Sequence, residues 1–323
     1  MSLVKQKVLI TGATGFLGQT LTGKLYADGY PVVAAVRRES ALLELDVDSV
    51  KVGYISAQTD WQHALNKVDV VIHCAARAHV MGDTAADPLA EFRQVNTAGT
   101  LNLVRQAATA GVRRFVFISS IKVNGELAES VPFSSEGVFV PTDPYGLSKY
   151  EAEQGLLALA KETGMEVVII RPTLVYGSGV KGNFASLLKW MKRGVPLPLG
   201  AIHNQRSLVA LDNLVDFIIH CINHPKAANE IFLISDGEDV STTELLQKVA
   251  KAFDKRAVLL PIPVSWMTLA AKLLGKADVA NRLFGSLQVD SSKAYELLGW
   301  KPVITMDEQL KKIADVYLNE KTV

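Results

Sequence analysis

The stretch PTDPYGLSKYEAEQ, residues 141–154, sets Tyr145 and Lys149 four apart on what the sequence predicts to be the first turn of a helix. Asp143 can cap that helix and Pro144 can take its first position. Ala, Glu, Gln and Leu then carry it to a stop at Gly164. Residues i and i+4 share a helix face, so the phenol and the ammonium lie one above the other. On an open surface the pair would be two solvated side chains. In a closed site it is an acid–base device. A phenol has a pKa of about 10, and ionising it near pH 7 means lowering that by ~3, or ~4 kcal/mol, a change that neighbouring positive charge favours. Which case holds depends on where the rest of the chain puts this helix.

The chain has 323 residues, 49% of them hydrophobic and 21% charged, with a formal net charge of +1. That composition supplies a large core and, taken over the whole chain, gives no support for binding to nucleic acid or an acidic membrane. Cys74 and Cys221 sit in apolar runs and read as buried free thiols of a reducing compartment. No apolar run approaches the about 18 residues of a spanning helix. The N-terminal MSLVKQKVLIT lacks a leader's apolar core, so the expected location is the cytoplasm. Val/Ile-rich runs at 7–11, 31–38, 51–55, 69–76, 114–120 and 166–172 are nearly continuous, as in strands covered on both faces. Helical patterns occupy 16–29, 88–110 and 144–163 between them. This alternation predicts an α/β fold, a doubly wound parallel Rossmann sheet. After Arg171 come a glycine-rich loop (173–183), a helix, an extended link VPLPLG (195–200), a helix at 211–225 and a strand at 230–235. The remainder reads as mostly helical. The expected division is one domain of residues 1–172 plus 207–236 and a smaller, mostly helical domain of 173–206 plus 237–323.

VLITGATGFLGQTL places Gly12, Gly15 and Gly18 between the first strand and the first helix, the context in which three such glycines bind a dinucleotide. Gly12 lets the chain turn, Gly15 lets backbone approach a pyrophosphate, and Gly18 lets helix pack on sheet. The helix N-terminus offers its free N–H groups to the anion. The second strand should end beside the adenosine ribose. It carries Arg37 and Arg38, followed by Glu39. A guanidinium suits a 2′-phosphate, which favours NADP over NAD, unless these arginines are simply solvated. Asp60 either accepts from the adenine amine or caps the short helix at Trp61.

With these segments in place the chain resembles the extended short-chain dehydrogenase/reductases, in the NAD(P)-dependent nucleotide-sugar epimerase/dehydratase branch. The resemblance rests on TGATGFLG (11–18), HCAARAHV (73–80), VNTAGT (95–100), ISSIKVNG (118–125), YGLSK (145–149), RPTLVYG (171–177) and RSLVALDNLVD (206–216), in the family's order over most of the chain. It implies that Tyr145 is the acid/base, that Lys149 binds the nicotinamide ribose and favours the phenolate, and that Ser120 hydrogen-bonds the reacting oxygen. It implies further cofactor contacts from Phe16, Leu17, Ala75, Ala76, Asn96 and Pro172, with His79 shaping the pocket. On the substrate side it implies Asn183, Lys181 and Arg206 on the diphosphate, Ser120 and Lys122 near the sugar, and 195–200 against the base. Lys181 could equally be a solvated loop lysine. Arg282 lies near a family phosphate position with imperfect spacing.

The family's 4,6-dehydratases follow the strand-end hydroxyl with two carboxylates. Here Ile121 and Lys122 follow Ser120, which argues against that reaction. The expectation is oxidation–reduction at C4 of a UDP-sugar, of the UDP-N-acetylhexosamine type, by a 4-epimerase or a 4-ketoreductase in surface polysaccharide synthesis. The alternative is a catalytically silent dinucleotide sensor, against which Ser120, Tyr145 and Lys149 argue. Kinship also implies a homodimer through the helices at 88–110 and 144–163, and no metal.

Overall fold

The computed structural model describes residues 5–38, 46–78, 86–128, 131–137, 139–275 and 277–319, and for Asn183, Ala277 and Asp278 the backbone alone. Ten strands are described: β1 (Val8–Thr11), β2 (Val32–Val36), β3 (Asp48–Lys51), β4 (Val70–His73), β5 (Arg114–Ile118), β6 (Glu166–Pro172), β7 (Leu174–Tyr176), β8 (Arg206–Ala210), β9 (Ile231–Ile234) and β10 (Asp239–Val240). The helices are α1 (Phe16–Ala27), α2 (Pro88–Phe92), α3 (Thr100–Thr109), α4 (Pro144–Thr163), α5 (Gly182–Arg193), α6 (Leu211–Asn223), α7 (Thr242–Ala252), α8 (Val264–Leu273), α9 (Ala277–Phe284), α10 (Ser292–Leu298) and α11 (Met306–Asn319).

Seven strands form one parallel sheet in the order β3-β2-β1-β4-β5-β6-β9. Successive residues of a strand face opposite sides, and both sides are apolar here. Val8 and Ile10 join Leu21, Leu214, Phe217 and Trp300 in the core beneath α1, α6 and α10. Leu9 joins Val71, Phe115, Leu103 and Leu156 in the core beneath α3 and α4. The sheet is therefore doubly wound, as the unbroken Val/Ile runs implied. The chain order reverses between β1 and β4, so the loops after these two strands flank the crevice where such sheets bind ligands.

A third core gathers Tyr176, Phe184, Leu188, Leu246 and Ile313 from the remaining elements. Phe16, the first residue of α1, packs against this core and against the sheet. A second sheet, β10-β8-β7, has β7 parallel and β10 antiparallel to β8. The link at 195–200 pairs with 258–260: Leu197 N–H donates to Val258 O (3.0 Å) and Leu260 N–H to Leu197 O (2.8 Å). The structure thus adds strands to a lobe expected to be mostly helical.

Three further expectations need correction. The strand expected at 51–55 is β3 at 48–51, because Gly53 adopts φ +71° and turns the chain away. The single helix expected at 88–110 is α2, a π-helical turn at 93–99 and α3 in succession. The helix expected to reach 225 stops at Asn223, since Pro225 disfavours helical backbone at His224.

Candidate active site

The glycine loop is built by close approach. Gly12 follows β1 directly at φ +67°, and a Cβ there would lie 2.8 Å from Ala75 N. A Cβ on Gly18 would fall far inside van der Waals contact with the Gly12 carbonyl oxygen, so α1 rests on bare backbone. Gly15 N–H donates to Gly12 O at 2.8 Å. A Cβ on Gly15 would meet nothing but that oxygen, at 3.1 Å, so its other side is open. A narrow cradle open at Gly15, under the N-terminus of α1, fits the pyrophosphate of a dinucleotide. Phe16 and Leu17, half-buried, begin that helix.

Behind the loop, the His73 ring bridges Thr11 Oγ1 (2.6 Å to Nδ1) and Thr100 Oγ1 (2.9 Å to Nε2), tying β1, β4 and α3 together. Burial, aided by the charge of Lys149, pushes the His73 pKa down to about 3, so the ring is neutral and serves as a brace. Ala75 N–H donates to Thr11 Oγ1 at 3.2 Å, which fixes Ala75 and Ala76 beside the cradle. At the end of β2, Arg37 and Arg38 are exposed, with the Arg37 guanidinium 5.9 Å from the Tyr54 ring centre. Asp60 Oδ1 accepts from Gln62 N–H (2.9 Å), at the head of a run of turns where a short helix was expected. Pro172 is buried at the end of β6. Glu39 and His79 lie outside the described residues.

The helix with the phenol is α4. Asp143 caps it through Gly146 N–H (3.2 Å), Pro144 opens it, and Gly164 closes it at φ +75°. Its first turn is fastened from the π-helical segment, a geometry frequent at functional sites. Asn96 Nδ2 donates to Ser148 Oγ (3.0 Å) and to Arg77 O (3.1 Å), while its Oδ1 accepts from Arg77 N–H (2.8 Å). Thr97 Oγ1 donates to Ser148 O (2.8 Å). Asn96, fully buried, is thus a clamp between the loop after β4 and α4. The Tyr145 ring meets Phe92 of α2 edge-on at 5.9 Å. Ser120, just beyond β5, caps the 3₁₀ turn at 121–123 through Lys122 N–H (3.2 Å).

Ser120, Tyr145 and Lys149 come together at the carboxyl end of β5. Burial pushes the Tyr145 phenol up to about 12; the hydrogen bond to Ser120 opposes this and the Asp143 charge adds to it. Lys149 is fully buried, with Nζ donating to Ile118 O (2.8 Å) and lying 4.4 Å from the Phe117 ring centre. Its own pKa is pushed down by burial to about 8, against the pull of Glu153. Lys149 is still mainly a cation at pH 7. Within the chain alone, burial of the phenol outweighs the Ser120 hydrogen bond that favours its ionised form. Cys74 is a free thiol driven by burial to about 12, hence protonated.

Sequence reasoning missed the support beneath this group. Glu153, fully buried one turn beyond Lys149, accepts from Ser119 Oγ (2.5 Å) and from Arg171 Nε and Nη2 (3.0 and 2.5 Å). Arg171 Nη1 reaches Asn124 Oδ1 at 2.9 Å. The signal that could have found it is the spacing Tyr145–Lys149–Glu153, one helix face carrying three polar groups.

On the substrate side the structure separates the expected residues into three situations. Lys122 is held between Glu126 (2.7 Å) and Asp143 (3.2 Å). Lys181 is exposed at the N-cap of α5, and the Asn183 side chain lies outside the described residues. Arg206 opens β8 and donates from Nη1 to the carbonyls of Arg282 (2.7 Å) and Gly285 (3.1 Å), while burial lowers its pKa. Arg282 is thereby brought next to Arg206 through its backbone.

Comparison with known proteins agrees with this geometry. The NAD-dependent epimerase/dehydratase family model matches residues 8–235. A UDP-glucose 4-epimerase of Vibrio cholerae is 53% identical over 316 residues, spanning 97% of this chain and 96% of the relative. Among solved structures, a UDP-N-acetylglucosamine 4-epimerase from Bacillus cereus superposes with a TM-score of 0.78 at 22% identity, covering 99% of this chain and 98% of the other. A UDP-glucuronic acid 4-epimerase from the same organism, in complex with NAD, gives 0.77 at 23% identity over 96% and 95%. At these identities the two structures speak for the fold.

Proposed function

Because the chain belongs to the NAD-dependent epimerase/dehydratase family, as an enzyme of the extended short-chain dehydrogenase/reductase type, we propose that it interconverts C4 epimers of a UDP-sugar with NAD held at its glycine loop. The observation that carries this reading is the group Ser120, Tyr145 and Lys149 on the sheet edge that also bears the Gly12–Gly18 cradle. The 53% identical relative over nearly the full chain supports the sugar class.

When bound, the dinucleotide supplies the site at C4 with a hydride acceptor that can return the hydride. Tyr145 takes the proton from the C4 hydroxyl and gives it back on the return step. Ser120 holds that oxygen and orients the phenol. Lys149 contributes the chain's own positive charge one turn along α4, which favours the phenolate. Asn96 and the Glu153–Arg171 pair keep α4 and β5 in register. Gly12, Gly15, Phe16, Leu17, Gly18, Ala75, Ala76 and Pro172 line the cofactor side. Lys181, Asn183 and Arg206 grip the diphosphate, with Ser120 and Lys122 toward the sugar. In this reading residues 1–172 plus 207–236 carry the cofactor, and 173–206 plus 237–323 carry the nucleotide-sugar. The working form is a cytoplasmic homodimer paired through α3 and α4.

Two sugars are proposed: UDP-glucose, which the close relative's name supports, and a UDP-N-acetylhexosamine for surface polysaccharides, which the family resemblance implies. A second reaction, single reduction of a 4-keto UDP-sugar with NADPH, is favoured by the exposed Arg37 and Arg38 at the ribose end of β2. Incubation of the purified protein with each UDP-sugar, with NAD in one assay and with NADPH in another, separates these readings. Formation of the C4 epimer supports the epimerase, and consumption of NADPH only when a 4-keto sugar is supplied supports the reductase. Dinucleotide binding without turnover of any of these sugars refutes both.

A further inference from the structure

The segment from Lys255 to Gly275 has a surface unlike the rest of the molecule. Helix α8 spans ten residues and none of them is buried. Its outer side presents Trp266, Leu269 and Leu273 at 71%, 61% and 81% exposure, and Leu274 follows at 76%. The inner side rests on the second-lobe core through Val264 and Met267. The same stretch contains Lys255, Arg256 and Lys272 and not one Asp or Glu, in a chain whose charges otherwise nearly cancel. The ammonium of Lys255 donates to the carbonyl of Lys192, which brings Lys192 and Arg193 of the last turn of α5 alongside. Asp254, just ahead of the segment, faces Lys311 at 3.9 Å.

We propose that α8 docks this protein on an anionic lipid surface, its apolar side in the acyl boundary and the flanking cations among the headgroups. A protruding helix with large apolar side chains on one side and cations beside them is the form that interfacial binding takes. Each cation near a negatively charged leaflet adds attraction that salt removes. A second copy of the chain fits less well, because face-to-face pairing of this surface would oppose its cations to themselves. The near-zero net charge of the whole chain conceals the local imbalance. No helix among the described residues is long and apolar enough to cross a membrane, so the contact is with the surface.

The test uses the full chain with vesicles of phosphatidylcholine containing about 30% phosphatidylglycerol, and with phosphatidylcholine alone. The expected result is co-sedimentation with the anionic vesicles, at least about tenfold weaker with the neutral ones and lost in high salt. Trp emission should shift to the blue on binding, and Trp266→Ser should abolish that shift. Leu273→Glu should weaken binding by about tenfold or more while keeping the wild-type melting temperature. Absence of binding to the anionic vesicles overturns the proposal. So does equal binding by Leu273→Glu, or a concentration-dependent dimer that Leu273→Glu disperses in a protein that ignores vesicles. None of these readouts depends on which sugar the enzyme accepts.

Discussion

Burial disfavours the charged form of both the Tyr145 phenol and the Lys149 ammonium, and the outcome sets how the site responds to pH. Burial holds Tyr145 up at about 12 and Lys149 down at about 8. For Lys149 the folded value lies below the unfolded one of 10.5, so folding carries a penalty at every pH below 8. That penalty, roughly 3 kcal/mol by the size of the shift, shrinks as pH rises from 8 and vanishes above 10.5. Lys149→Met removes it and leaves the Ile118 carbonyl without its donor, a loss of about 1–2 kcal/mol. The variant is therefore expected to melt higher than wild type at pH 7, to lose that advantage near pH 10, and to be inactive. Thermal melts across this pH range check the sign. Melting below wild type at pH 7 would show that the ammonium is a net support of the fold.

Elements in this molecule meet where side chains are missing or where polar groups are buried in pairs. The first case is α1 against the loop after β1. Gly18→Ala would drive a methyl group into the Gly12 carbonyl, and overpacking of this kind costs roughly 1–3 kcal/mol. Calorimetric titration with NAD should show loss of binding together with a lower melting temperature. Retention of wild-type affinity would mean that the cradle is not the pyrophosphate site. The second case is α4 against β5 and β6. Glu153→Gln leaves the Arg171 guanidinium buried beside a neutral amide, an imbalance of about 3–5 kcal/mol. A chemical denaturation midpoint far below that of wild type is expected. An unchanged midpoint would reduce the ion pair to a bystander.

Over the whole molecule, what the sequence made legible follows from how local each feature is. The glycine loop and the Tyr145–Lys149 pair lie within single turns, so their spacing carries their meaning. The sheet strands buried on both faces announced themselves as unbroken Val/Ile runs. Edge strand β3 was legible only out of place, at 51–55, because three of its four residues are polar and exposed. Strands β7 and β10, three and two residues long, are too short for any periodicity to show. The braces were hidden for another reason: His73 meets Thr11 across 62 residues, and Asn96 meets Ser148 across 52. Such pairings exist only once the sheet has wound. The fall of Lys149 to about 8 was equally hidden, since burial creates it.

The central claim is that this assembly places the Tyr145 hydroxyl on the C4 oxygen of a UDP-sugar beside a dinucleotide. The most direct measurement is proton NMR of UDP-glucose and UDP-N-acetylglucosamine incubated with NAD and either wild type or Tyr145→Phe. The expected result is inversion at C4 of at least one sugar by wild type, slowed about 10²–10⁴-fold in the variant while NAD affinity is kept. Inversion at an undiminished rate in Tyr145→Phe would contradict the account.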